Sequence, residues 1–162
     1  MTDLKSKEIR SEITSEGKLN LSIVTSDVPT PSDDEVLIKV EASPINPSDL
    51  GLLISFAADL DSISSQGSGD DTVTTMGIHP GLMQSMKPRI DKSMKVGNEG
   101  GGVIVDAGKN VKNLIGKTVG VAGGAMYSQY RSLPAMSCLV MNEGTTSAEA
   151  ASSFVNLSLI HI

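Results

Sequence analysis

Hydrophobic and polar positions alternate most clearly from Glu35 to Glu41, where Val36, Ile38 and Val40 take turns with Leu37, Lys39 and Glu41. A period of two predicts a half-buried strand, and this one stops at a segment holding Pro44 and Pro47. Each proline fixes its own φ and drives the residue before it, Ser43 or Asn46, toward an extended conformation, so the chain turns here in a stiff, defined way. Asn46, Ser48 and Asp49 are thereby set just beyond a strand end. Short polar side chains on a rigid turn either serve a site or bond their own backbone, and residue type alone leaves both readings open.

The same reading extends along the chain. Leu19, Leu21 and Ile23 alternate after the turn residues Glu16-Gly17, which predicts a hairpin over residues 8–28. Pro29, Pro31 and the polar run Ser32 to Asp34 predict a surface loop. Leu50, Leu53, Ile54, Ala57, Leu60 and Ile63 fall close to helical spacing and predict one or two short helices over residues 50–63. Residues 64–95 show little sustained periodicity, and a loop that long inside a domain is usually functional or disordered. Its methionines, Met76, Met83, Met86 and Met94, either line a cleft adaptably or pack onto the main body. Strands are predicted at Val103 to Val105 and Thr118 to Ala122. Tyr127 and Tyr130, three apart in a further predicted strand, face opposite sides of it, which places one of them to reach a cleft. Thr146-x-x-Glu149 is a capping box opening a helix through Ala150, Ala151 and Phe154.

Composition narrows the partners. With 162 residues, 39% of them hydrophobic, the chain is long enough for one domain that buries roughly two-thirds of its unfolded surface. A net charge of −6 with no basic cluster argues against nucleic acid and anionic membranes. The amino terminus lacks an apolar signal region, and no window approaches the roughly 20 apolar residues of a membrane span, so a cytoplasmic protein is expected. Cys138 is the single cysteine, which fits a reducing compartment, and its apolar surroundings predict a buried, inert thiol. Gly97, Gly100, Gly101 and Gly102 invite a phosphate-loop reading, but a strand follows where a nucleotide-binding loop needs a helix. They predict close backbone approach or a bulge instead.

Several segments in order carry a resemblance. Val40 to Asp49, V-E-A-S-P-I-N-P-S-D, is similar to the V-x-A-x-x-x-N-P-x-D signature of the medium-chain dehydrogenase/reductase superfamily, in its branch of zinc-free quinone oxidoreductases and enoyl reductases. Val96 to Gly108, V-G-N-E-G-G-G-V-I-V-D-A-G, resembles the family's G-x-E-x-x-G-x-V-x-x-x-G segment, and Gly116-Lys117-Thr118-Val119 the G-D-x-V that follows. Ala125 to Pro134, A-M-Y-S-Q-Y-R-S-L-P, stands in the place of G-x-[YF]-A-E-Y-x-x-x-P. The matches cover residues 30–156. They imply a mainly β fold, a GroES-like partly open β-barrel with short helices over residues 1–156, taken from an enzyme that reduces a small quinone, enoyl or carbonyl substrate with hydride from NADPH or NADH. By this resemblance Asn46 lies against the nicotinamide as an orienting group, with Asp49 beside it, and Ser48 matches the hydroxyl that relays a proton in alcohol dehydrogenases. The tyrosine that some enoyl reductases use as proton donor falls at Ala57, so that donor is not matched. Its neighbour Phe56, with Tyr127, is assigned to the substrate cleft.

Zinc is not expected. A catalytic zinc needs about three ligands from Cys, His and carboxylate, and this chain has Asn46 and Asn98 where zinc-dependent relatives carry Cys and His. The resemblance also implies a Rossmann cofactor domain, whose G-x-G-x-x-G pattern is not found here. Residues 157–162 depart from the family pattern, so a truncated or frame-shifted reading is expected, inactive alone and without bound cofactor. The alternative is a stand-alone GroES-like binding or assembly module. Ala150, Ala151, Phe154, Val155, Leu157, Leu159 and Ile160 form an apolar carboxy-terminal segment, which predicts a homodimer through that surface.

Overall fold

The computed structural model describes residues 4–155. Lys5–Ile13 (β1) and Lys18–Asp27 (β2) form the expected hairpin, paired in unbroken register from Lys5 opposite Asp27 to Ile13 opposite Leu19. Glu35–Ala42 (β3) is the alternating strand, and Pro47–Leu53 (α1) follows it directly, with proline at the first helical position, where its missing N–H costs nothing. Ala58–Gln66 (β4) and Val73–Ile78 (β5) make a second hairpin. Next come the single turn Met83–Met86 (α2) and the short strand Met94–Lys95 (β6). Gly100–Ala107 (β7), Thr118–Val121 (β8), Tyr130–Pro134 (β9) and Cys138–Val140 (β10) complete the strands, and Ser147–Ala150 (α3) opens at the Thr146 capping box.

The strands form two five-stranded antiparallel sheets, in the orders β4-β5-β2-β1-β6 and β10-β8-β7-β3-β9. Residues 127–130 stitch the sheets together. Ile9 donates its amide to the Tyr127 carbonyl at 2.9 Å, Gln129 donates to Lys7, and Val40 of the other sheet donates to Gln129, both also at 2.9 Å. The result is a mainly β, GroES-like, partly open barrel. Each sheet has its own core. Val36, Ile38, Ile104, Val119, Val121, Met126 and Leu133 are buried in one, and Ile13, Leu19, Ala57, Met76, Ile78 and Met86 in the other.

The helix expected over residues 50–63 is corrected to Pro47–Leu53, with strand from Ala58. Ser55 stops the helix in the left-handed region at φ 63°, where its hydroxyl accepts the Ala57 amide at 3.2 Å and donates to Met86 Sδ at 3.3 Å. Leu60 and Ile63, which supplied the helical spacing, are exposed and mark no buried face.

Residues 64–95, expected as a loop, are also corrected. They hold the rest of the second hairpin, α2 and β6, with Ser64, Ser65 and Gln66 opposite Thr75, Thr74 and Val73. Met76 and Met86 lie in the core and Met83 packs against it, which settles the methionine alternatives for these three in favour of packing. Tyr127 and Tyr130 do not share a strand, because β9 begins at Tyr130 and Tyr127 stands in the bend before it. Ala150 and Ala151, which open the apolar carboxy-terminal segment, are buried within the chain. Leu157, Leu159 and Ile160 of that segment, and the whole of 157–162, lie outside the described residues.

Candidate active site

The elbow after β3 is braced from several sides. Asn46 caps α1 and is 3% exposed, and its backbone amide donates to Asp49 Oδ2 at 2.7 Å. The other oxygen of Asp49, Oδ1, accepts the amide of Asn98 at 2.8 Å. Asn98 in turn donates its side-chain amide to the Ser48 hydroxyl at 3.0 Å. Ser43 donates to the Glu99 carbonyl, and the Tyr127 hydroxyl donates to the Pro44 carbonyl at 3.0 Å. The residues that bear the elbow motif are therefore held by residues of the glycine-rich segment and the bend at Tyr127.

Glu99 is the innermost of these groups, with no exposed surface. Its Oε1 accepts the side-chain amide of Asn46 at 2.9 Å, and its Oε2 accepts the backbone amides of Phe154 at 3.1 Å and Val155 at 2.8 Å. Three N–H donors meet one carboxylate, and among the described residues no Lys, Arg or His pairs with it. The glycines that follow explain how the carboxy-terminal helix comes so close. A Cβ on Gly101 would stand 2.3 Å from the Ser147 carbonyl oxygen, and one on Gly102 would stand 2.1 Å from that of Lys39. Close backbone approach, not phosphate binding, is the use of this run.

Beside the elbow lies an apolar cleft of about 290 Å3, lined by Ile9, Ser43, Ile45, Leu53 and Tyr127. Ile45 is 71% exposed on its rim. Burial, reinforced by the nearby Asp49 carboxylate, pushes the Tyr127 hydroxyl up to about 12, so the phenol stays neutral over the ordinary pH range. Cys138 lies half-buried at the start of β10, outside this cleft, and burial pushes its thiol up to about 11, as suits an inert residue.

The structure thus brings Asn46, Ser48, Asp49 and Tyr127 together. Both oxygens of Asp49 are engaged by backbone amides. Phe56 does not join the group: it is 71% exposed beyond the end of α1, and Leu53 supplies that wall of the cleft instead. Glu99 and its bond to Asn46, together with Ile9, Ile45 and Leu53 in the cleft, are not among the site residues expected from the sequence. The family's G-x-E motif marks Glu99, and Ile45 sits inside the elbow motif. Ile9 carries no signal at all, since the cleft takes it from a strand distant in sequence.

No family model matches this sequence, and no curated protein does. Solved structures do. A protein from Mesorhizobium loti described as an NADPH:quinone reductase matches with a TM-score of 0.63 at 22% identity, over 99% of this chain and 44% of its own. Another so described, from Bacillus thuringiensis, matches with a TM-score of 0.64 at 20% identity, over 96% and 39%. A mycobacterial protein solved with NADPH matches with a TM-score of 0.61 at 19% identity, over 96% and 38%. The chain has the fold of one part of these reductases. At these identities the likeness establishes the fold, and the motif resemblance holds at that level. The chain spans between 38% and 44% of the length of those three structures.

Among the described residues, no group of three His, Cys, Asp or Glu side chains is placed to hold a metal, and no helix is long and apolar enough to cross a membrane.

Proposed function

We propose that this chain is the catalytic-domain portion of an NAD(P)H-dependent, zinc-independent oxidoreductase that reduces a quinone, enoyl or carbonyl compound. The observation that carries the reading is a buried, braced Asn46 beside an apolar cleft, on a fold shared with NADPH:quinone reductases. Zinc independence rests on Asn46 and Asn98 standing where ligands would be needed.

The described residues fit one end of a nicotinamide cofactor. The cleft offers apolar walls for a small flat ring, whereas a pyrophosphate has no seat beside it. Among the described residues the longest helix, α1, has seven residues, and the Asp49 carboxylate already takes the amide at its cap. When bound, the cofactor supplies hydride. Asn46 orients the nicotinamide end, with its amide fixed in one rotamer by Glu99, and Asp49 contributes by locking the elbow backbone. Ile9, Ile45 and Leu53 exclude water from the reacting face. Tyr127, neutral below about pH 12, is a wall and a hydrogen-bond donor, not a base. Ser48, held by Asn98, lacks a metal to acidify its proton-transfer partner, and so plays at most a lesser part in proton relay.

Titration with reduced nicotinamide mononucleotide, followed by NMR, tests the reading. Shifts should cluster at Ser43, Ile45, Asn46 and Tyr127 and disappear in N46A. A saturated titration that leaves those four residues unmoved would overturn it.

A further inference from the structure

Glu99 is a buried carboxylate with donors on two sides. One oxygen is held by the Asn46 side chain from the elbow, and the other by two successive backbone amides, Phe154 and Val155, from the turn after α3. These elements are far apart in sequence, and the carboxylate is the rigid group that joins them. Its two oxygens cannot move independently, so rotation that follows a displaced turn alters the angle and length of the bond to Asn46. Loss of either set of donors leaves a carboxylate oxygen buried without a partner, which a fully buried site tolerates poorly.

We infer that Glu99 is a positioning residue that couples the orientation of the Asn46 amide to the carboxy-terminal turn at Phe154 and Val155. Whatever engages or releases that turn then resets the elbow. A carboxylate accepts on both sides at once, whereas a glutamine that keeps its oxygen on the two backbone amides turns an NH2 group toward Asn46 and forces that amide to flip. The backbone supports the same coupling, because α3 lies against β7 through the Ser147 carbonyl at Gly101, two residues beyond Glu99. The inference rests on the reductase reading only for its consequence, namely that the chain beyond Val155 influences the nicotinamide-facing group.

The test perturbs each end and reads the other. V155P deletes one donor to Oε2 and forces Phe154 toward an extended conformation, without touching the elbow. It should shift the Asn46 side-chain amide signals and speed their hydrogen exchange about fivefold or more, the lower range of energetic coupling between sites. N46A should in turn speed exchange of the Phe154 and Val155 amides, since a coupling between two sites acts in both directions. Amides of β2, in the other sheet, serve as the control and should keep their protection in both variants, which separates coupling from general destabilisation. Unchanged Asn46 signals in V155P, or unchanged Phe154 and Val155 exchange in N46A, would overturn the inference. No cofactor or substrate enters the experiment, so its failure is distinct from failure of the reductase reading.

Discussion

Asp49 accepts the backbone amide of Asn98 at 2.8 Å across 49 residues of chain, while its other oxygen accepts the amide of Asn46 at 2.7 Å. One buried carboxylate thus clamps the elbow to the glycine-rich segment. D49A leaves both amides unpaired in a site that is 2% exposed at Asp49, and two such losses should cost about 2–4 kcal/mol. D49N keeps one acceptor and should cost less. Urea unfolding gives the comparison, and a D49A loss below about 1 kcal/mol would mean that water reaches those amides.

What the sequence showed of this arrangement was local. The hairpin of β1 and β2, the alternation of β3 and the Thr146 capping box are each written within a few residues, so they could be read directly. The hairpin of β4 and β5 was missed because β4 exposes seven consecutive residues, leaving no apolar face for a period to record. The elbow residues were marked by motif, yet their bonding was not. Asn46 meets Glu99 across 53 residues and Phe154 meets Glu99 across 55, and no spacing rule reports such pairs. Phe56 stands next to Ala57, the place that the resemblance gives to a tyrosine, but Ser55 turns the chain so that Leu53 reaches the cleft instead.

Two glycine substitutions should move stability in opposite directions. A Cβ on Gly102 would meet the Lys39 carbonyl oxygen at 2.1 Å, backbone against backbone in the middle of the β3–β7 pair, where neither side can yield. G102A should cost on the order of 3 kcal/mol or prevent folding. Gly51, inside α1, has nothing within 4 Å of its Cβ position, and G51A should gain about 0.5–1 kcal/mol from the lower backbone entropy of the unfolded chain. Thermal unfolding of both variants checks the pair, and a folded G102A as stable as the parent would contradict the close approach.

Tyr127 gives the protein a predictable alkaline limb. Its hydroxyl is pushed from 10.0 up to about 12, by burial first and then by the Asp49 charge. A raised value means that the unfolded chain gives up this proton first. The stabilisation is therefore complete below about pH 10 and is lost as pH rises toward 12. The phenolate absorption of this residue should appear late in a pH titration of the folded protein and be absent in Y127F. Y127F should also flatten the alkaline fall in stability, while losing the hydrogen bond to Pro44. Ionisation of Tyr127 near pH 10 in folded protein would refute the assignment.

The 162-residue chain should bind NADPH weakly, with an affinity well short of micromolar. Most of the holding power for such a cofactor comes from a helix amino terminus and glycine-rich loop that neutralise the pyrophosphate. Here the glycine run at Gly100 to Gly102 opens a strand, and its free space is filled by the backbones of Lys39 and Ser147. The amino terminus of α1 offers no substitute, because the Asp49 carboxylate occupies its cap and would repel a phosphate. What remains is the apolar cleft of about 290 Å3 and the Asn46 amide, which suffice to place a nicotinamide ring but leave the phosphates in water. Reduced nicotinamide mononucleotide should then bind about as well as intact NADPH, since the adenosine half finds no partner. Calorimetric titration of both ligands decides this. NADPH binding at micromolar affinity, or far more tightly than the mononucleotide, would show that a phosphate seat exists on this chain after all.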